Sequence, residues 1–178
     1  VSTYLDLSRT DSGSSTIGDL SIIMLEGDSG GNSLKVSNMN LDVAGEVALN
    51  AQQISQNSGT LSFQGTPSFD NSSSVYVTGG ELILNSGGTF SDSSLNFTSS
   101  VFKPSGTVAV TNGASLNFDQ SSTVKLEGAT TLTQSGAVSW PSLDLNAKAF
   151  TLDSSVASMS FNSALSIGSG ATFNSGSS

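Results

Sequence analysis

Large apolar residues recur along this chain at nearly constant intervals. Val77, Phe97, Phe118, Trp140 and Phe161 follow one another at near-equal steps. Each has an apolar partner two positions earlier, at Val75, Leu95, Leu116, Val138 and Met159. Side chains two apart in a strand share a face, so each pair marks a short strand with one face buried. The near-constant spacing returns equivalent strands once per turn of a coil. The pattern predicts an all-β fold, a parallel β-helix (solenoid) with about 20–22 residues and three short strands per turn.

Two further faces complete the turn. A second face is marked by Leu41 with Val43, Leu61 with Phe63, Leu82 with Leu84, Val124 with Leu126, Leu143 with Leu145, and Leu165 with Ile167. Between Leu84 and Val124 the matching segment is Val101-Phe102-Lys103, whose poor fit predicts a bulge. A third face is marked by Val47 with Leu49, Phe69, Phe90, Val108 with Val110, Leu132, Phe150 with Leu152, and Phe173. Its irregular spacing places it beside the loops. Leu20 with Ile22 and Leu34 with Val36 extend the pattern upstream. Residues 1–178 thus read as a single β-helical segment of about seven to eight turns, with 1–19 as an irregular or capping turn. The chain is expected to be a segment of a longer protein.

Small polar clusters fall where the coil needs corners. Asn57-Ser58-Gly59, Asn85-Ser86-Gly87-Gly88, Thr111-Asn112-Gly113 and Gln134-Ser135-Gly136 each separate two strand signals. Asn and Gly tolerate the left-handed backbone angles of such corners. Gly79-Gly80 and Gly30-Gly31 belong to no GxGxxG or GxxxxGK[ST] pattern, so they read as turns and not as phosphate cradles.

Strands stacked about 4.8 Å apart bring equivalent positions of successive turns into contact. Between the paired apolar residues of the first face lie Tyr76, Asn96, Asn117, Ser139 and Ser160, which should form an outward ladder. Asn96 and Asn117 are placed to share a side-chain amide hydrogen bond. Trp140 belongs to the inward column and reads as core rather than as a sugar platform. Outward on the second face stand Asp42, Ser62, Ile83, Lys125, Asp144 and Ser166, with Lys125 and Asp144 on adjacent turns. Thr131, Thr151 and Thr172 read as an outward threonine column on the third face. Ice-binding solenoids use two ranks of Thr-x-Thr, whereas the instance in this column is Thr131-Leu132-Thr133 alone.

Composition narrows the chemistry. Fourteen acidic residues against five basic ones, with no His, give a formal net charge of -9. That balance opposes nonspecific attraction to nucleic acid and to anionic membranes. The absence of Cys removes disulfides, thiolate metal sites and cysteine nucleophiles together. No apolar run reaches the length needed to span a bilayer, so no membrane insertion of this segment is expected.

A polysaccharide-cleaving β-helix needs convergent carboxylates, one acid and one base. The candidates Asp42, Asp70, Asp119, Asp144 and Asp153 stand singly among Ser, Asn and Leu. The His-Gly and Arg-Ile-Lys segments of polygalacturonase-like enzymes are missing, and Arg9 is the only Arg. Gly27-Asp28-Ser29-Gly30-Gly31-Asn32 is an acidic loop of a composition usual for solvated turns, and the GGxGxDxUx calcium repeat is absent. The sequence therefore assigns no catalytic, cofactor-binding or metal-binding residue, and no cofactor.

Polar corners feeding short apolar strands occur in Ser58-Gly59-Thr60-Leu61-Ser62-Phe63, Ser105-Gly106-Thr107-Val108-Ala109-Val110 and Ser169-Gly170-Ala171-Thr172-Phe173. In this style and period, from about Leu20 onward, the chain resembles passenger domains of bacterial autotransporters (type V secretion) and related large β-helical surface adhesins. The resemblance implies a right-handed β-helix, exported unfolded and carried on the bacterial outer surface or released outside the cell. It also implies a noncatalytic stalk or adhesin acting in attachment, aggregation, biofilm or toxin delivery. Its partners would be a host or neighbouring cell surface, glycans or matrix. End-to-end self-association into a structural filament is the alternative expectation, and a polysaccharide-acting β-helix enzyme is a more remote one.

Overall fold

A computed structural model describes residues 4–8, 14–17, 20–23, 33–45, 47–50 and 53–175, with side chains at 34–45, 47–48 and 53–175. The described residues form strands and turns, with no helix among them. The first strands are β1 (Tyr4–Ser8), β2 (Ser14–Ile17), β3 (Leu20–Ile23), β4 (Ser33–Val43), β5 (Val47–Asn50), β6 (Gln53–Phe63) and β7 (Ser68–Asp70). Next come β8 (Ser74–Thr78), β9 (Glu81–Leu84), β10 (Gly87–Ser91), β11 (Ser94–Thr98), β12 (Val101–Pro104) and β13 (Gly106–Thr111). The last are β14 (Ser115–Phe118), β15 (Thr123–Lys125), β16 (Thr130–Gln134), β17 (Gly136–Asp144), β18 (Ala149–Leu152), β19 (Val156–Ser166) and β20 (Thr172–Asn174).

Every pairing among them is parallel, and each strand pairs with its counterpart one turn away. The chain is an all-β parallel β-solenoid, and residues 53–175 wind through about six turns. Its strands form two sheets. One has eight strands in the order β20-β18-β16-β13-β10-β7-β5-β3. The other has twelve strands and carries both of the remaining faces, because β4, β6, β17 and β19 run around the corner between them as single long strands. Three separate short strands per turn occur in the first described turn, β1, β2 and β3, and in the middle of the coil, as in β8, β9 and β10. The segment before Leu20 contains β1 and β2, which pair in register with the two halves of β4.

The expected column lies inside the coil. Val77 stands opposite Phe97, Phe97 opposite Phe118, and Trp140 opposite Phe161. Phe97 and Phe118 stack with centroids 4.6 Å apart at 11°, and Phe118 meets Trp140 edge-on at 5.9 Å. Trp140 is 1% exposed, as its place in the column requires. On the third face Phe69 and Phe90 stack at 5.1 Å. Fully burying a large apolar side chain contributes about 1.5–3 kcal/mol, and a well-placed ring pair adds about 0.5–1.5 kcal/mol. Stacking like residues at every turn collects both terms.

The column continues upstream through a residue that apolar patterning passes over. Gln56 lies between Val36 and Val77, at 1% exposure. Its side-chain NH2 donates to the carbonyl oxygens of Ser58 and Gly59, at 3.0 and 2.7 Å. Those two residues have left-handed φ values of 60° and 76°. Gln56 thus supplies from inside a donor for carbonyls at a sharp corner, while its own Oε1 is buried without a partner. The same corner recurs in neighbouring turns at Asn38, Gly79 and Ser99, with φ of 55°, 64° and 49°. At these four corners left-handed backbone bends the first face into the second.

Two expectations need correction. Val101-Phe102-Lys103 is not a bulge: β12 pairs without interruption with β9, Phe102 opposite Leu82 and Pro104 opposite Leu84. Phe102 and Pro104 are both buried, so Pro104 fills an inward place that a hydrophobic count does not credit to proline. Register shifts occur instead between β17 and β19, at Gly136/Ala137 and Trp140/Ser142. The third face is the continuous eight-stranded sheet, its strands preceded by loops of unequal length. The threonine column is also different. Thr107, Thr131 and Thr151 are in register and continue into Asn174, while Thr172 stands opposite Ala149.

Candidate functional site

The five candidate carboxylates are used locally. Asp42 accepts from the Gln64 amide at 2.7 Å, Asp70 from the Asn71 N–H at 2.8 Å, and Asp144 from the Asn146 N–H at 2.9 Å. Asp153 accepts from the Ser155 N–H at 2.9 Å. Asp119 does most: it accepts from the Ser122 hydroxyl at 2.6 Å, from the Ser121 N–H at 3.2 Å, and from the Ser99 N–H one turn away with both oxygens at 3.1 Å. The Ser122 hydroxyl, followed by the surrounding backbone N–H groups, holds Asp119 below the usual carboxylate range. The Ser155 backbone N–H that donates to Asp153 lowers it in the same direction. These shifts favour the ionised acceptor that braces a turn, whereas a general acid needs its pKa raised.

Among the described residues, no three His, Cys, Asp or Glu side chains are placed to hold a metal ion. The acidic loop Gly27–Asn32 lies outside the described residues.

Charge is concentrated on the second face. Lys103, outward on β12, donates to Glu81 at 2.7 Å and lies 3.6 Å from Glu127, giving a Glu-Lys-Glu ladder across three turns. Hydrophobic patterning passes over Lys103 because it misaligns Val101-Phe102-Lys103. Lys125 and Asp144 are in register as expected, but they form no ion pair with each other, and Asp144 turns to Asn146.

The first face differs sharply. On the leading half of β6 and on β8, β11 and β14, every outward residue is Ser, Thr, Asn, Gln or Tyr. Residues of successive turns join there by hydrogen bonds. The Asn117 amide donates to the Asn96 oxygen at 3.0 Å and to the Ser115 hydroxyl at 3.0 Å. Asn96 donates to Ser94 at 3.4 Å, and the Ser74 and Ser94 hydroxyls lie 3.2 Å apart. The expected amide ladder is thus present. Tyr76, directly opposite Asn96, is 41% exposed, and it is the only aromatic among the exposed large hydrophobic residues described. At the leading ends of these strands lies a groove of about 280 Å³ walled by Ser72, Ser74, Asp92, Ser93, Ser94 and Ser115. Ser93 is buried in that wall, and its hydroxyl has no hydrogen-bond partner.

No family model matches the chain, and comparisons with curated proteins and with solved structures find no match. What the structure establishes is the all-β parallel β-solenoid with its two parallel sheets.

Proposed function

We propose that this chain is a noncatalytic β-helical stalk or adhesin segment, working outside the cell or at a bacterial outer surface. The observation that carries the reading is the uncharged stretch of the first face from β6 to β14, bearing Tyr76, on a chain whose formal net charge is -9. Hydrogen-bonded ladders along the coil make a stiff support, since each turn is held by its neighbours. Repeated hydroxyl and amide groups on that support give many weak contacts, which become firm attachment only in numbers. Single carboxylates committed to turns support a noncatalytic role, because acid and base must converge for hydrolysis. The sequence resemblance to autotransporter passengers supports the location.

The test is attachment of beads coated with the chain to cell layers and to matrix. Retention above that of beads coated with an unrelated acidic protein supports adhesion, and equal retention contradicts it.

A second reading, a self-assembling filament subunit, is favoured by one observation. Successive described turns are joined by parallel strand pairing, a mode that a second copy of the chain would extend from edge to edge. An open strand edge is a template for another strand. Particle length that grows with protein concentration in sedimentation and electron microscopy supports the filament. A constant length contradicts it.

A further inference from the structure

We infer that the uncharged face of β6, β8, β11 and β14 binds neutral oligosaccharides, with Tyr76 as the platform for one pyranose ring. The inference rests on the adhesive reading and names its ligand class. One side of a pyranose is lined by C–H groups, which pack favourably on the face of an aromatic ring. Tyr76 offers such a ring on the sheet surface, exposed and flanked by polar groups. The hydroxyls of the same sugar need donors and acceptors in equal measure, and Ser and Asn supply both.

Geometry favours an extended chain lying across the rungs. Tyr76, Asn96 and Asn117 occupy one outward position on three successive strands. Strands are about 4.8 Å apart, close to the length of one sugar unit in an extended polysaccharide. The ladder bonds fix Asn96, Asn117 and the serines beside them before any ligand arrives. Little side-chain freedom then remains to be lost on binding. A shallow groove lined by serines and Asp92 opens at the leading ends of the same strands.

Charge selects the ligand. From β6 to β14 the face carries no cation to pair with a uronate or sulfate, and Asp92 in the groove repels one; Lys35, on β4 two rungs before Tyr76, is the nearest described cation in that outward column. Binding that relies on packing and neutral hydrogen bonds responds weakly to salt.

The experiment measures binding of cellohexaose, mannohexaose and chitohexaose by titration calorimetry, with hexagalacturonate as the acidic probe. The expected result is weak binding of at least one neutral probe, little changed by added salt, and none of hexagalacturonate. Tyr76→Ala should weaken it about fivefold to tenfold, in line with the contribution of an aromatic contact. Tyr76→Phe should retain it, and melting curves establish that both variants fold. The inference is overturned if no neutral probe binds, if Tyr76→Ala binds like the parent, or if the acidic probe binds more tightly. Bead attachment that survives Tyr76→Ala would overturn this site and leave adhesion standing. Sugar binding without bead attachment would do the reverse.

Discussion

The side-chain amide of Asn117 donates to the side-chain oxygen of Asn96, on the preceding turn of the coil, at 3.0 Å. The two residues are direct strand partners, and Leu95 and Leu116 beside them are paired inside. One register thus fixes an outward polar ladder and an inward apolar one together. A slip by one residue would bury the amides and expose the leucines. Because Asn117 is exposed, Asn117→Ala should cost only about 0.5 kcal/mol, the low end for a net hydrogen bond. A double-mutant cycle with Asn96→Ala in urea denaturation measures the coupling, and additive losses would show that the bond contributes nothing.

The core column should carry far more. Phe97 is 2% exposed and stacked on Phe118, so Phe97→Ala should destabilise by about 3–5 kcal/mol. Phe161 occupies the same column but is only partly buried, and Phe161→Ala should cost clearly less. Chemical denaturation of the two variants checks the ranking.

Two glycines at left-handed corners separate strain from collision. A Cβ on Gly59 would run into the carbonyl oxygen of Met39, whereas one on Gly113 would meet open space. Both have positive φ, 76° and 82°. Gly113→Ala should cost about 1–2 kcal/mol, the conformational penalty alone. Gly59→Ala should cost more, because backbone must shift as well. Equal losses in thermal melts would mean that the stacked corners yield without cost.

Asp119 should make stability depend on acidity. Its carboxyl is held below its ordinary value, first by the Ser122 hydroxyl and then by backbone N–H groups. A depressed folded pKa contributes stability that is fully present above the unfolded value, about 3.9, and is lost as pH falls through the folded one. Asp119→Asn should therefore melt at a lower temperature than the parent at neutral pH, with the gap closing below about pH 4. A gap that stays constant down to about pH 2 would assign the effect to shape and not to charge.

The period, the inward column, the amide ladder and the corners were legible because each depends on a residue type repeated at one spacing. Val77, Phe97 and Phe118 stand out at near-equal intervals, and Asn57-Ser58-Gly59 announces its own backbone. Gln56 was not legible, since a polar side chain signals an inward place only once the carbonyls of Ser58 and Gly59 are seen beside it. Pro104 and Lys103 were hidden together: missing proline's inward role shifts the reading of the strand around it. The third face was hidden by its corners. Gly106, Thr130 and Phe150 stack in one column although their separations in sequence are unequal, because the loops between strands differ in length. The candidate binding face was half legible. Its ladder followed from the period, but the exposure of Tyr76 and the groove at the strand ends depend on packing.

The most direct measurement for the adhesive account is retention of chain-coated beads on a cell layer under flow, as the number of chains per bead is raised. Many weak contacts on a stiff support predict little retention at low density and a steep rise above a threshold, since each added contact acts at high effective concentration. Retention no greater than that of beads coated with an unrelated acidic protein, at every density, would contradict the account.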